Sequence, residues 1–444
     1  MTKRIAGPAL FIAAAVSAAI AAPAAAPLAA QERAELTSTE RQVSDYVRAH
    51  VEGGIELIAD QVRIGSGTHN FEGIRRMHDL LAPELRALGF DARWVPQEHV
   101  GRAGHLVAER VAEDPAGKSI LLIGHLDTVD EGEGWWERDG MTGHGPGAND
   151  MKGGNAVILM ALRALHAAGA LEGRTIRIIF TGDEESLGDP VDEARAVMTE
   201  LARQSDVALE FETAIAGDGF DYGTTARRGS SGWLLEVEGR TAHSSGIFSR
   251  GTGAGAVFEA SRVLTAFYEE LRGEEYLTFN PAVIVGGTDV DYDPEAVAGS
   301  ASSKTNIVAG RAVVHGGIRT ISDDQLESAR ERMREIVARH LPRTSAEITF
   351  SDGYPGMPPT EGNRELLALY DEASRDLGYP EVREFDPGGR GASDLSFAAA
   401  HVRFGALGGI GVEGTGAHSP NETVDLTSFA KAAERAALLI HRLR

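Results

Sequence analysis

The stretch from residue 119 to 188 constrains this chain most. SILLIGHLDTV, GPGANDMKGGNAVILMALRAL and TIRIIFTGDEESLG follow one another as strand, loop-plus-helix and strand. The runs at 120–123 and 176–180 are short, apolar and rich in β-branched residues, as buried strands of a parallel sheet require. Each run ends in side chains able to bind a metal: His125 and Asp127 after the first, Glu184 and Glu185 after the second. Asp150 stands just before the helix that begins near Gly153. In open α/β sheets, ligands gather beyond the carboxyl ends of the strands. Three such clusters reaching that edge predict a metal site.

At 444 residues the chain has room for two domains. It contains no cysteine, so a metal site must use nitrogen and oxygen donors, and an oxidising compartment brings no disulfides. A net charge of −23 argues against nucleic acid or an anionic membrane as partner. Residues 1–30 read as a secretory signal: Lys3 and Arg4, an Ala-rich apolar stretch, then small residues up to Ala30. The expectation is a periplasmic or secreted protein cleaved near Ala30. An uncleaved anchor is the rival, disfavoured by weakly hydrophobic alanines and by Pro8 and Pro23.

Helical periodicity runs over 36–62 and again over 70–88, where Gly89 supplies the left-handed cap. Residues 90–95 and 105–109 read as strands, leading into the central unit. The pattern then becomes strand (232–239), helix (252–271), strands (282–286 and 306–317), helix (322–340) and strand (346–351). Ser322 followed by Gln325 marks the start of that second helix. This β-α-β-β-α-β order is that of a ferredoxin-like layer. Helix and strand patterns resume after Pro355. The expected organisation is a signal over 1–30, a mixed-sheet three-layer α/β domain over 31–229 and 351–444, and an insert over 230–350.

Residue by residue, the chemistry has bland alternatives. His125 and Asp127 fit a ligand imidazole oriented by a carboxylate, or a loop histidine beside a capping acid. Asp150 alone is explained by the helix dipole. Glu184 and Glu185 enter one cleft only where the backbone turns, and SLG at 186–188 supplies the turn. One could then bind metal while the other acts as general base on an activated water. His418, in GAHSPNETVD, is by itself an exposed loop residue.

Taken in order and at these distances, GHLDTV, GANDMKGGNAV, GDEES and GAHSPNETVD resemble the zinc-dependent metallopeptidase family of glutamate carboxypeptidase, aminoacylase and carnosinase. The resemblance spans nearly the whole chain after the signal. It implies a dinuclear zinc hydrolase of peptide bonds, a carboxypeptidase or dipeptidase, with cobalt or manganese as possible substitutes. An N-acyl amino acid deacylase is the alternative, and a non-catalytic binding protein the remotest reading.

By the same resemblance, His125 is a terminal metal ligand backed by Asp127, and Asp150 bridges the two ions. Glu184 is the general base. Glu185 and His418 bind the second metal. Glu212, in ALEFETA, is the remaining ligand of the first, with Asp218 in AGDG as its competitor. His243 in the insert matches a lid histidine that reaches the active site of the neighbouring subunit in a homodimer. Asn306 and Arg319 match substrate-binding residues. The chain departs from the pattern at Tyr354, in SDGYPG, where glutamate carboxypeptidases carry a further arginine for a substrate carboxylate. Arg390, in GGRGASD, is a candidate replacement.

Overall fold

A computed structural model describes residues 35–443; the expected signal over 1–30 lies outside them. The main sheet has six strands, in the spatial order Asp91–Pro96, Gly104–Arg110, Ile176–Thr181, Ile120–His125, Val207–Glu210 and Gly405–Leu407. The first two pairings are antiparallel and the other three parallel. Ile120–His125 lies between two parallel neighbours and is buried along its length, which is why its sequence is apolar rather than alternating.

Successive side chains of these strands enter opposite cores, as the pleat dictates. Ile120, Leu122, Ile176 and Ile178 pack with helices Gly153–Ala167 and Thr427–Arg442. Leu121, Ile123 and Ile179 pack with Ala196–Arg203 and Leu395–Ala399 on the other face. The result is three layers around a mixed sheet.

Helix Gly153–Ala167 is seated unusually close to its neighbour. A Cβ on Gly154 would lie 1.9 Å from the Phe211 carbonyl oxygen, and one on Gly153 would meet Val412 at 2.4 Å. Only glycine allows the start of this helix to rest on the backbone after Val207–Glu210.

Between residues 230 and 354 the chain builds a second sheet, antiparallel throughout. Its spatial order is Thr278–Gly287, Arg311–Arg319, Ser230–Gly239 and Thr344–Tyr354. Helices Ala256–Leu271 and Asp323–Val337 share a separate core with it, built on Trp233, Leu235, Val263, Phe267 and Met333.

Several elements differ from the sequence expectation. The helix over 36–62 is two helices, Ser38–Ala49 and Val51–Val62, broken at His50 (φ −118°, ψ 15°). The helix expected from 252 begins at Ala256, because Gly253 and Gly255 take positive φ. Residues 306–310 are irregular, and the strand starts at Arg311. The last strand of the insert extends to Tyr354. A hairpin of Asp289–Asp293 and Ala298–Ser302 was not anticipated. Among the described residues no helix is long and apolar enough to cross a membrane.

Candidate metal centre

His125 ends the central strand Ile120–His125, buried, with its carbonyl accepting from Asn155 Nδ2 at 2.7 Å. Its Nδ1 lies 3.0 Å from the Asp127 carbonyl oxygen and 3.6 Å from that residue's carboxylate. The carboxylate is engaged elsewhere. The Glu184 N–H donates to Asp127 Oδ1 and the Glu185 N–H to Oδ2, both at 3.0 Å, and Thr68 Oγ1 donates to Oδ2 at 2.7 Å. Asp127 therefore holds the turn that carries the two glutamates. Beside the ring of His125 it presents both its carbonyl, the nearer group, and its carboxylate.

Opposite this turn, Asp150 faces two imidazoles. Its Oδ1 lies 3.2 Å from His125 Nε2 and its Oδ2 lies 3.1 Å from His418 Nε2. His418 Nε2 is also 3.2 Å from Glu185 Oε2. His418 adopts φ +62°, a conformation that histidine enters more readily than most residues. Donor atoms of His125, Asp150 and Glu185 converge within 4.8 Å of one another, and those of His125, Glu184 and Glu212 do the same. Asp218 belongs to neither group and sits in an exposed turn at φ +55°.

A small cleft of about 80 Å³ opens at Asp150, Glu185 and His418 and is rimmed by Val129 and Pro420.

So many acids in one place perturb one another. Burial and the neighbouring Glu212 push the Glu184 carboxyl well above the usual carboxylate range. Burial would also raise Asp150, but hydrogen bonds from His125 and His418 outweigh it and hold its pKa low. His418, bonded to Asp150 and Glu185, is pushed up to about 10. Two imidazoles drawn toward protonation by surrounding carboxylates describe a cage of negative charge, a donor set suited to cations.

The support around the cage was only partly visible in the sequence. Glu422, immediately after the conspicuous SPN turn, accepts from the N–H groups of Gly147, Asn149 and Asp150 at 2.8, 2.8 and 2.9 Å. It fixes the loop that presents Asp150. Lys152 is buried, donates to the Ile64 and Pro146 carbonyls at 3.0 and 3.2 Å, and is pulled down to about 7 by burial. Arg227 binds the carboxylates of Glu210 and Glu212, the first at 2.7 Å. Arg390 is held by Thr224 Oγ1 and the Thr213 carbonyl, each at 2.8 Å.

The three insert residues stand apart. His243 bonds Ser245 and is exposed, the Asn306 carbonyl accepts from the Ser244 N–H, and Arg319 is an exposed residue at the end of the interior strand Arg311–Arg319. No hydrogen bond or ion pair joins any of them to the cage among the described residues.

Comparison with known proteins places this arrangement. Residues 121–442 match peptidase family M20/M25/M40. Carboxypeptidase G2 of Pseudomonas sp. (strain RS-16) is 28% identical over 402 residues, covering 87% of this chain and 88% of that protein. A succinyl-diaminopimelate desuccinylase of Gluconobacter oxydans (strain 621H) is 27% identical over 360 residues, covering 78% and 87%. Among solved structures, the Bacillus subtilis YXEP protein, described as a dinuclear metal-binding peptidase of the M20 family, superposes with a TM-score of 0.61 at 15% identity, covering 89% of this chain and 98% of that one. The mixed sheet, the cage at its carboxyl edge and a match over most of the sequence converge: this chain is a metallohydrolase of amide bonds and belongs to peptidase family M20/M25/M40.

Proposed function

We infer that the protein is a dinuclear zinc peptidase, a carboxypeptidase or dipeptidase. The observation that carries this reading is the position of Asp150, whose two oxygens face different imidazoles. A carboxylate so placed is shaped to bridge two cations. His125, Asp150 and Glu212 would hold one ion, and Asp150, Glu185 and His418 the other. The donors are all imidazole or carboxylate, which suits zinc and also admits cobalt or manganese. Bound there, the ions supply Lewis acidity toward a scissile carbonyl and make water more acidic.

Glu184 is the general base. Its carboxylate accepts no hydrogen bond among the described residues, and burial beside Glu212 raises its proton affinity. It takes the proton of the attacking water as the C–O bond forms. It then delivers that proton to the amine nitrogen as the C–N bond breaks. Asp127 keeps Glu184 and Glu185 in register by holding both N–H groups.

Substrate recognition draws on the insert. His243 would polarise the carbonyl in a neighbouring subunit, with Asn306 and Arg319 binding the substrate's oxygens. A homodimer is consistent with Val257, Phe258, Tyr268 and Ile284, large apolar side chains exposed on the helix Ala256–Leu271 and the edge strand Thr278–Gly287. Arg390 has two nitrogens engaged and Nη1 unbonded among the described residues, which leaves it able to receive a carboxylate. Residues 1–30 would direct the chain to the periplasm or outside.

The desuccinylase relative supports a second reading, removal of an acyl group from an N-acyl amino acid. One experiment separates the two. Zinc-loaded protein is offered dipeptides ending in Glu, Ala or Phe beside N-acetyl and N-succinyl amino acids. Glu184→Gln should lose at least about 10²-fold in kcat on whichever class is cleaved while retaining its metal. Full activity in that variant would overturn the base assignment.

A further inference from the structure

The chain crosses between the main sheet and the second sheet twice, near residues 227–230 and again near 354–357. The two crossings are bound together. Arg227 and Met357 exchange both backbone hydrogen bonds at 2.9 Å, and Ser230 pairs with Tyr354. A Cβ on Gly229 would lie 2.7 Å from the Tyr354 carbonyl oxygen and 2.8 Å from Gly356 N. This is a tight double strap.

Each half of the strap sends one side chain to the cage. Arg227 bonds the Glu212 carboxylate. Tyr354, the last residue of Thr344–Tyr354, donates its hydroxyl to the main-chain carbonyl of Glu184. Its ring leans on Phe397, with centroids 5.3 Å apart, and the Arg195 guanidinium lies 5.5 Å from the Phe397 ring on the catalytic side. Arg195 itself is fixed by Asp183 and Asp394 at 2.7 and 2.8 Å. The residue carrying the base is thus gripped at both ends of its own backbone, its N–H by Asp127 and its C=O by Tyr354. The second grip comes from the inserted segment.

We propose that Tyr354 is a positioning residue that ties the placement of the Glu184 carboxylate to the orientation of the insert. The proposal rests on Glu184 acting as the general base. Its physical content is that a rotation of the second sheet about the strap pulls on the Glu184 carbonyl, and so turns the peptide from which the base projects. With the hydroxyl removed, that peptide is held from one side only. Small displacements of a proton-transfer group are costly because transfer requires hydrogen-bond contact.

The test is Tyr354→Phe, which keeps the ring on Phe397 and deletes only the donor. Expected in the zinc-loaded variant are a kcat about tenfold lower on the best substrate of the panel, a KM within about twofold of wild type, and unchanged metal content and Tm. Amide hydrogen exchange should quicken at residues 184–187 and nowhere else. Phe397→Leu is the companion, since it disturbs the ring packing while leaving the hydroxyl; it should lower Tm with kcat largely kept. Unchanged exchange at 184–187 in Tyr354→Phe would overturn the proposal, as would a kcat loss accompanied by lower Tm and faster exchange throughout. If wild-type protein cleaves nothing in the panel, the hydrolase reading has failed, and the exchange comparison still decides whether Tyr354 holds Glu184.

Discussion

Glu422 offers the sharpest quantitative test of how the cage is built. Its two oxygens accept three backbone N–H groups, Gly147 on Oε2 and Asn149 and Asp150 on Oε1, at a residue only 5% exposed. Glu422→Gln keeps the shape but replaces one oxygen with an NH₂ group. If the amide oxygen stays with Asn149 and Asp150, the NH₂ meets the Gly147 N–H and leaves that buried donor unsatisfied. Such a loss costs about 1–3 kcal/mol, and the remaining bonds weaken as the acceptor becomes neutral. Relief of repulsion between Glu422 and Asp150 offsets part of this. A net of about 2 kcal/mol falls on the loop that presents Asp150, equivalent to about thirtyfold in affinity for a cation bound there, within the range usual for outer partners of metal ligands. The assay is competition with a chromogenic chelator across a zinc titration, and Glu422→Ala should lose more. Binding within twofold of wild type in both variants would refute the claim that this carboxylate positions Asp150.

Three further outcomes follow from the same structure. Treatment with a strong chelator should abolish hydrolysis and lower Tm, because Asp150, Glu184, Glu185 and Glu212 are then left crowded without a cation; elemental analysis after reloading should give about two ions per chain. His105, fully buried, has its pKa lowered by burial, so protonation favours the unfolded chain: its contribution to stability is complete above about pH 6.5 and is lost as pH falls. In His105→Gln the acid-side decline should be shallower by up to about 1.4 kcal/mol per pH unit, and parallel denaturation curves for the two proteins between pH 5 and 8 would contradict this. Phe258→Asp, on the exposed face of Ala256–Leu271, should shift the protein from dimer to monomer in light scattering. A wild-type monomer would end the proposal that His243 serves a neighbouring subunit.

What could be read from the sequence was what burial writes into it. Buried parallel strands need continuous apolar runs, so 120–123 and 176–180 stood out, and their ends located His125, Asp127, Glu184 and Glu185. The break at His50 did not show, because apolar spacing continues through it in Val47, Val51 and Ile55. The hairpin of Asp289–Asp293 and Ala298–Ser302 is exposed or half-buried along both strands, so no core imposes the alternation that would have revealed it. Glu422 and Arg227 were invisible for another reason. Their partners, a peptide N–H and a carboxylate, lie 272 and 15 positions away in sequence, and a side chain bonding outside its own element leaves no periodic trace. Asp127 shows the limit most clearly: its position was legible, but its chief partners are N–H groups that every residue owns.

The glycine seat beneath Gly153–Ala167 has a consequence for how the cage can vary. Asp150 precedes that helix, and Glu212 follows Phe211, the residue whose carbonyl Gly154 touches. The segments that carry Asp150 and Glu212 therefore meet backbone to backbone at Gly154 and Phe211. Trimming a side chain cannot loosen that contact, because neither partner in it is a side chain.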